Sequence, residues 1–186
     1  MSKKIISEYI LKHIEIAKNI DENLVQKASN MLINTIKRGN SIFWFGNGGS
    51  ASQANHLSAE LVGGMFKEKK SPFNSICLNT DTAFITAWSN DDTFDHIFTR
   101  QLNAIANHND LIIMLSTSGN SKNIINAAKY ASQNKLKSIS LTGNDGGELK
   151  KLSNLNINIA DNSTQRIQEM HIIIGHIICE LVETSL

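Results

Sequence analysis

Apolar positions in the first 38 residues recur every three or four residues. Ile5, Ile6, Tyr9, Ile10, His13, Ile14 and Ala17 form one series, and Val25, Ala28, Met31, Leu32 and Ile36 form a second between Leu24 and Ile36. Such spacing places apolar side chains on one face of a helix, so two amphipathic helices are expected over 1–38. Each needs a surface to cover, in this domain or in another subunit. From residue 41 the pattern changes to short apolar runs: Ser41–Phe45 (SIFWF), 74–78 (NSICL), 110–115 (DLIIML), 137–142 (KSISLT) and 155–159 (LNINI). Helical periodicity fills 50–66, 81–90, 93–106, 120–133 and 146–152, and a long helix is predicted over 164–184. Short, largely apolar strands alternating with helices predict an α/β fold, a five-stranded parallel sheet covered on both faces.

No linker, repeat or low-complexity tract divides the 186 residues, and the only proline is Pro72, before the second strand. One domain over 1–186 is expected. The 18 basic and 17 acidic residues leave a net charge of +1, which gives no electrostatic footprint for nucleic acid or an anionic membrane. The opening Met1-Ser2-Lys3-Lys4 is not followed by a sustained apolar stretch, and no run approaches the roughly 20 residues of a membrane span, so the chain is expected in the cytoplasm. Cys77 and Cys179 lie in separate apolar segments and read as buried, reduced thiols.

Ligands of open parallel sheets bind beyond the carboxyl ends of the strands. After the first strand stands Gly46-Asn47-Gly48-Gly49-Ser50, followed by a helix. Glycines admit close backbone approach, and a helix N-terminus offers free N–H groups; Ser50 reads as an N-cap or a ligand donor. The segment equally suits a tight strand–helix turn, and it lacks the spacing of a dinucleotide fingerprint or P-loop. After the third strand stands Ser116-Thr117-Ser118-Gly119-Asn120-Ser121. Four hydroxyls beside a helix N-terminus suit a phosphate monoester, the alternative being a polar loop with Ser121 as helix cap.

The helix after Ser50 carries His56 and Glu60, four residues apart and therefore on one face. The pair can supply two metal ligands, an acid beside a base, or only a solvated ion pair. The last helix carries Gln168 and His176, two four-residue steps apart among Ile167, Met170 and Ile172–Ile174. Polar groups in so apolar a helix need partners.

Together the segments GNGGSASQANHLSAELVG (46–63), LNTDTAFITAWSND (78–91), LSTSGNSKNII (115–125), SLTGNDGGEL (140–149) and RIQEMHIIIGHIICELVE (166–183) resemble the sedoheptulose 7-phosphate isomerase (phosphoheptose isomerase) family of the sugar isomerase (SIS) domain superfamily. The resemblance implies a three-layer, doubly wound, flavodoxin-like sheet preceded by N-terminal helices. It also implies a ketose–aldose isomerase of bacterial lipopolysaccharide or capsule heptose synthesis, and a homotetramer with active sites at subunit interfaces. By resemblance, Asn47, Gly48, Gly49 and Ser50 form the first sugar-phosphate turn, and Ser116, Thr117, Ser118 and Ser121 the phosphate cradle. Asn90 and Asp91 contact sugar hydroxyls, Gln168 touches both substrate and metal, and His56, Glu60, Gln168 and His176 bind zinc. Glu60 and His176 are the implied acid–base pair, Glu60 also meeting substrate. The family often has an arginine after the helix glycine where this chain has Gly63-Gly64; Lys67, Lys69 or Lys70 could supply the charge. Related readings are a non-enzymatic replication-initiator-associating protein with the same fold, which lacks the full acid–base set, a sugar-phosphate sensor, and an isomerase for another sugar phosphate.

Overall fold

The computed structural model describes residues 2–65 and 71–186. Two helices, α1 (Ser2–Ala17) and α2 (Glu22–Lys37), precede strand β1 (Ile42–Gly46). Then follow α3 (Gly49–Gly63), β2 (Ser75–Cys77), α4 (Thr82–Asp91), a 3-10 turn (Phe94–His96), α5 (Ile97–Ile105), β3 (Leu111–Ser116), α6 (Lys122–Gln133), β4 (Lys137–Gly143), α7 (Leu149–Leu152), β5 (Leu155–Ile159) and α8 (Thr164–Ser185). All strand pairs are parallel, in the order β2-β1-β3-β4-β5. This is the flavodoxin-like doubly wound order, whose switch point lies between β1 and β3.

Alternation along the central strands divides the core in two. Ile42 and Trp44 of β1 and Leu111, Ile113 and Leu115 of β3 face one layer with residues of α2, α3 and α8. Phe43, Phe45, Ile112 and Met114 face the other, against α5, α6 and Leu149. Both faces of β1 and β3 are buried, which is why those runs are continuously apolar. On β4 and β5 the second face is polar: Asn154, Asn156 and Asn158 pair with Ser138, Ser140 and Thr142, with Asn156 Nδ2 donating to the Ser140 and Thr142 hydroxyls at 2.8 Å each. Among the described residues no helix is long and apolar enough to cross a membrane.

The two N-terminal helices behave differently. Asp21 caps α2, accepting from the Asn23 and Leu24 N–H groups, and α2 buries Val25, Ala28 and Leu32 under the sheet. Most apolar side chains of α1 are not covered by this chain, Ile5 being 60% exposed and Leu11 64%, while Ile16 and Ala17 at its end pack against the core. Polar contacts tie α1 to α8. Tyr9 donates to Glu169 at 2.7 Å, the His13 ring meets the same carboxylate at 3.2 Å, and Arg166 binds it while lying over the Tyr9 ring. Burial pushes the Glu169 carboxyl up, but the bonds from Tyr9 and His13 and the Arg166 charge outweigh it and hold it below the usual range.

Several boundaries differ from the sequence expectation. The helix expected over 50–66 ends at Gly63, its last position falling outside the described residues. Gly64 caps it at φ 83°, ψ 141°, a conformation open to glycine and costly for other residues. The helix over 146–152 shrinks to Leu149–Leu152 because Gly146 and Gly147 take positive φ. The segment 93–106 opens with a 3-10 turn, where the Thr93 hydroxyl accepts from the Asp95 N–H.

Candidate active site

Beyond the carboxyl ends of the paired strands β1 and β3 lies a cavity of about 260 Å³, lined by Asn47, Gly48, Gly49, Ser50, Leu115, Ser116, Thr117, Ser121, Ile124, Thr164 and Gln168. Eight of the expected substrate residues therefore meet at one place. The helix cap falls on Gly48 and not on Ser50, and no side chain bonds the first turn of α3. Ser50 is instead buried within that turn. Ser121 occupies the N-cap position of α6 without making a side-chain cap bond, so its hydroxyl is not held as the capping alternative requires. Five hydroxyl residues, Ser50, Ser116, Thr117, Ser121 and Thr164, and two uncapped helix starts around one cavity make a lining chemically suited to an anion. Gln168 closes the cavity against α3: a Cβ on Gly49 would lie 2.6 Å from its amide nitrogen. Gln53 holds α8 in place by donating to the Gln168 carbonyl.

Other expected contacts lie elsewhere. The Ser118 hydroxyl is turned to its own loop, accepting from the Asn120 N–H at 3.2 Å, and Ser118 does not line the cavity. Asn90 and Asp91 bond each other at the exposed C-terminal end of α4, away from the cavity lining. Lys67, Lys69 and Lys70 lie outside the described residues. Thr164, at the start of α8, lines the cavity although sequence reasoning passed over it. Its only signal was its place immediately after the turn that follows β5.

A second cluster is formed by His56, Glu60 and His176, whose donor atoms all lie within 4.8 Å of one another. His56 Nε2 is 2.8 Å from His176 Nε2 and 3.3 Å from Glu60 Oε1. Two ligands of one zinc ion, each about 2 Å from it, stand roughly 3.3 Å apart, so two imidazole nitrogens and a carboxylate at these separations fit that metal. Behind them Cys179 is buried, and burial followed by the Glu60 and Glu183 charges pushes its thiol up to about 12. It is not among the clustered donor atoms, which are two imidazole nitrogens and a carboxylate oxygen. Gln168 is not with these three within the chain. It stands eight residues before His176 on the same helix, roughly 12 Å along the axis, and lines the cavity.

The five-stranded parallel sheet with a hydroxyl-rich loop beside its switch point accords with the SIS domain family profile, which matches residues 8–143, and the chain is a SIS domain protein. The chain is 44% identical to the phosphoheptose isomerase of Aliarcobacter butzleri over 188 residues, covering 100% of this chain and 99% of that one. Among solved structures, a phosphoheptose isomerase from Francisella tularensis superposes with a TM-score of 0.94 at 29% identity, covering 99% of each chain. One from Neisseria gonorrhoeae gives 0.92 at 31%, covering 99% of this chain and 100% of that one. The chain belongs to the phosphoheptose isomerase family, and so to a family of isomerase enzymes.

Proposed function

We propose that this chain converts sedoheptulose 7-phosphate to D-glycero-D-manno-heptose 7-phosphate in the bacterial cytoplasm, for lipopolysaccharide or capsule heptose synthesis. The observation that carries this reading is the His56–Glu60–His176 cluster. A binding protein on the same fold needs the phosphate cavity but has no use for an acid–base set.

The hydroxyls of Ser116, Thr117 and Ser121 and the start of α6 hold the phosphate, and the Asn47–Ser50 turn holds the sugar. Ser118 supports the loop, and Asn90 and Asp91 reach the sugar hydroxyls from a neighbouring subunit. Ketose-to-aldose conversion moves a proton from C1 to C2 through an enediol, while the carbonyl oxygen gains a proton and the C1 hydroxyl loses one. Glu60 takes the C1 proton, and His176 supplies or relays the proton that returns at C2. Carboxylate and imidazole suit these transfers near neutral pH. His56, Glu60 and His176, with Gln168, would hold Zn²⁺, which when bound supplies Lewis-acid polarisation of the two oxygens.

The chain works as a homotetramer with sites between subunits. Three features support this: the uncovered apolar face of α1, the partly exposed metal cluster, and the separation of Gln168 from His176. An α1 face buried against other copies would remove the largest run of exposed aliphatic side chains among the described residues.

The test is to follow aldose formation from sedoheptulose 7-phosphate with and without added Zn²⁺. Metal-stimulated turnover that disappears in Glu60→Gln and His176→Gln is expected. Unchanged turnover in Glu60→Gln would sink the assignment of the base. No turnover by the folded wild-type protein would leave the initiator-associating or sensor reading in its place.

A further inference from the structure

Asn47 stands in the first binding turn, yet both polar atoms of its side chain are engaged within the protein. Its Nδ2 donates to Asn123 Oδ1 at 2.9 Å, and Asn123 Nδ2 donates back to Asn47 Oδ1 at 3.0 Å. Asn123 is 2% exposed, in the first turn of α6, directly after the hydroxyl-rich loop. The two carboxamides form a closed ring of two hydrogen bonds from the turn after β1 to the helix after β3. Beyond the β1–β3 pairing that ends at Gly46 and Leu115, this pair links the two halves of the cavity.

A similar brace holds the preceding residue. Asn79, just past the end of β2, accepts from the Gly46 N–H at 3.1 Å and donates to the Gly46 carbonyl at 3.0 Å. Its side chain thus replaces the strand neighbour that the short β2 does not provide, and Gly46 has no freedom to shift. With Gly46 held by Asn79 and by its pairing with Leu115, Asn123 is the side chain that fixes Asn47 itself against the helix behind the phosphate loop.

We propose that Asn123 is a positioning residue for the isomerisation: it acts only through Asn47, setting the distance between the sugar-binding turn and the phosphate-binding loop. The Asn47 side chain, in turn, serves that distance and does not itself hold the substrate. A buried amide pair is suited to this. Removing either partner leaves the other with unsatisfied polar atoms, so the pair behaves as one unit, and a displacement of about 1 Å at a catalytic site can lower turnover by about 100-fold.

The proposal rests on the isomerase reading for its kinetic arm. The experiment is a double-mutant cycle of Asn47→Ala, Asn123→Ala and the double variant, read as kcat and KM on sedoheptulose 7-phosphate, with the Kd of inorganic phosphate and the melting temperature measured alongside. Each single variant is expected to lose about 10- to 100-fold in kcat/KM, mostly in kcat. The double variant should lose no more than either single one, and phosphate affinity should stay within about twofold because the loop hydroxyls are untouched. If Asn123→Ala does not fold, Asn123→Asp keeps its volume and one bond to Asn47, and carries the same comparison. The proposal is overturned if the variant at Asn123 retains kcat/KM within about twofold, if the losses multiply in the double variant, or if phosphate affinity and melting temperature fall together with turnover. Should the wild-type protein bind the heptulose phosphate without converting it, the isomerase reading fails. The same cycle read on the Kd of that sugar phosphate then decides the pair: equal, non-additive losses support it and additive ones overturn it.

Discussion

His171 lies on α8 with no exposed surface, and its ring makes one hydrogen bond, from Nε2 to the Thr142 carbonyl at 3.0 Å. A carbonyl only accepts, so Nε2 carries the hydrogen and Nδ1 is a buried acceptor without a partner. Burial pushes the ring down from 6.5 to about 4, partly opposed by the carbonyl bond. Between these values the unfolded chain takes up a proton that the folded one refuses, so stability falls as the medium becomes more acid. For one group the loss relative to neutral pH amounts to about 2 kcal/mol at pH 5 and approaches about 3 kcal/mol below pH 4. The check is urea unfolding followed by far-UV circular dichroism from about pH 7.5 to 5, at fixed chain concentration because association shifts apparent stability. His171→Gln is the informative variant: its Nε2 can still donate to the Thr142 carbonyl, and it does not titrate. The stability difference between wild type and variant should shrink by about 2 kcal/mol across that range. Parallel profiles for the two proteins would refute the reasoning.

Further outcomes follow from other contacts. A side chain at Gly175 would collide with Leu57, which is fully buried on α3; Gly175→Ala should cost about 1–3 kcal/mol by forcing the helices apart and lower zinc retained after dialysis, since His176 is the next residue. Asp110, 1% exposed, accepts from the Asn107 and Ser41 N–H groups at 2.7 and 2.9 Å and from Asn40 Nδ2 at 3.1 Å. Asp110→Ala should destabilise by about 2–4 kcal/mol in denaturant titration while sparing kcat/KM, because it lies at the opposite end of the sheet. If sites form between subunits, coexpressing inactive Gln168→Ala and inactive His176→Gln chains should restore about a quarter of wild-type turnover, and none if each site lies within one chain.

The strands were legible because burial on both faces of β1 and β3 leaves uninterrupted apolar runs, and the two candidate turns followed from the strand-end rule. Both turns do meet at one cavity. Less legible was anything decided by competition between local partners. The Ser116 and Ser118 hydroxyls both accept from loop N–H groups, of Gly119 and Asn120 at 3.2 Å each, and only the loop's own geometry leaves Ser116 lining the cavity and Ser118 outside it. Asn47 reads as a ligand-facing amide until Asn123, 76 residues later, is found against it. The i,i+4 spacing of His56 and Glu60 put them on one face, but bringing His176 to them depends on Gly175 admitting Leu57, a tertiary contact with no local periodicity. The α1 pattern foretold a covered face and was silent on whether this chain or another copy covers it.

The edge strand β5 shows what an alternating pattern does during folding. It has one neighbour only, and parallel pairing offers several offsets. A slip of one residue would turn Asn156 and Asn158 into the apolar layer and set Ile157 against the Ser140 and Thr142 hydroxyls, reversing every side chain at once. A slip of two would restore the facing but abandon both ends, where Asn154 receives the Ser138 N–H at 2.9 Å and Asn158 donates to the Asn144 carbonyl at 3.0 Å. Because the paired residues lie only 16 positions apart, this check needs no distant part of the chain. The last strand can find its offset by a short search against the one made just before it, leaving the longer loop closures to the middle of the sheet.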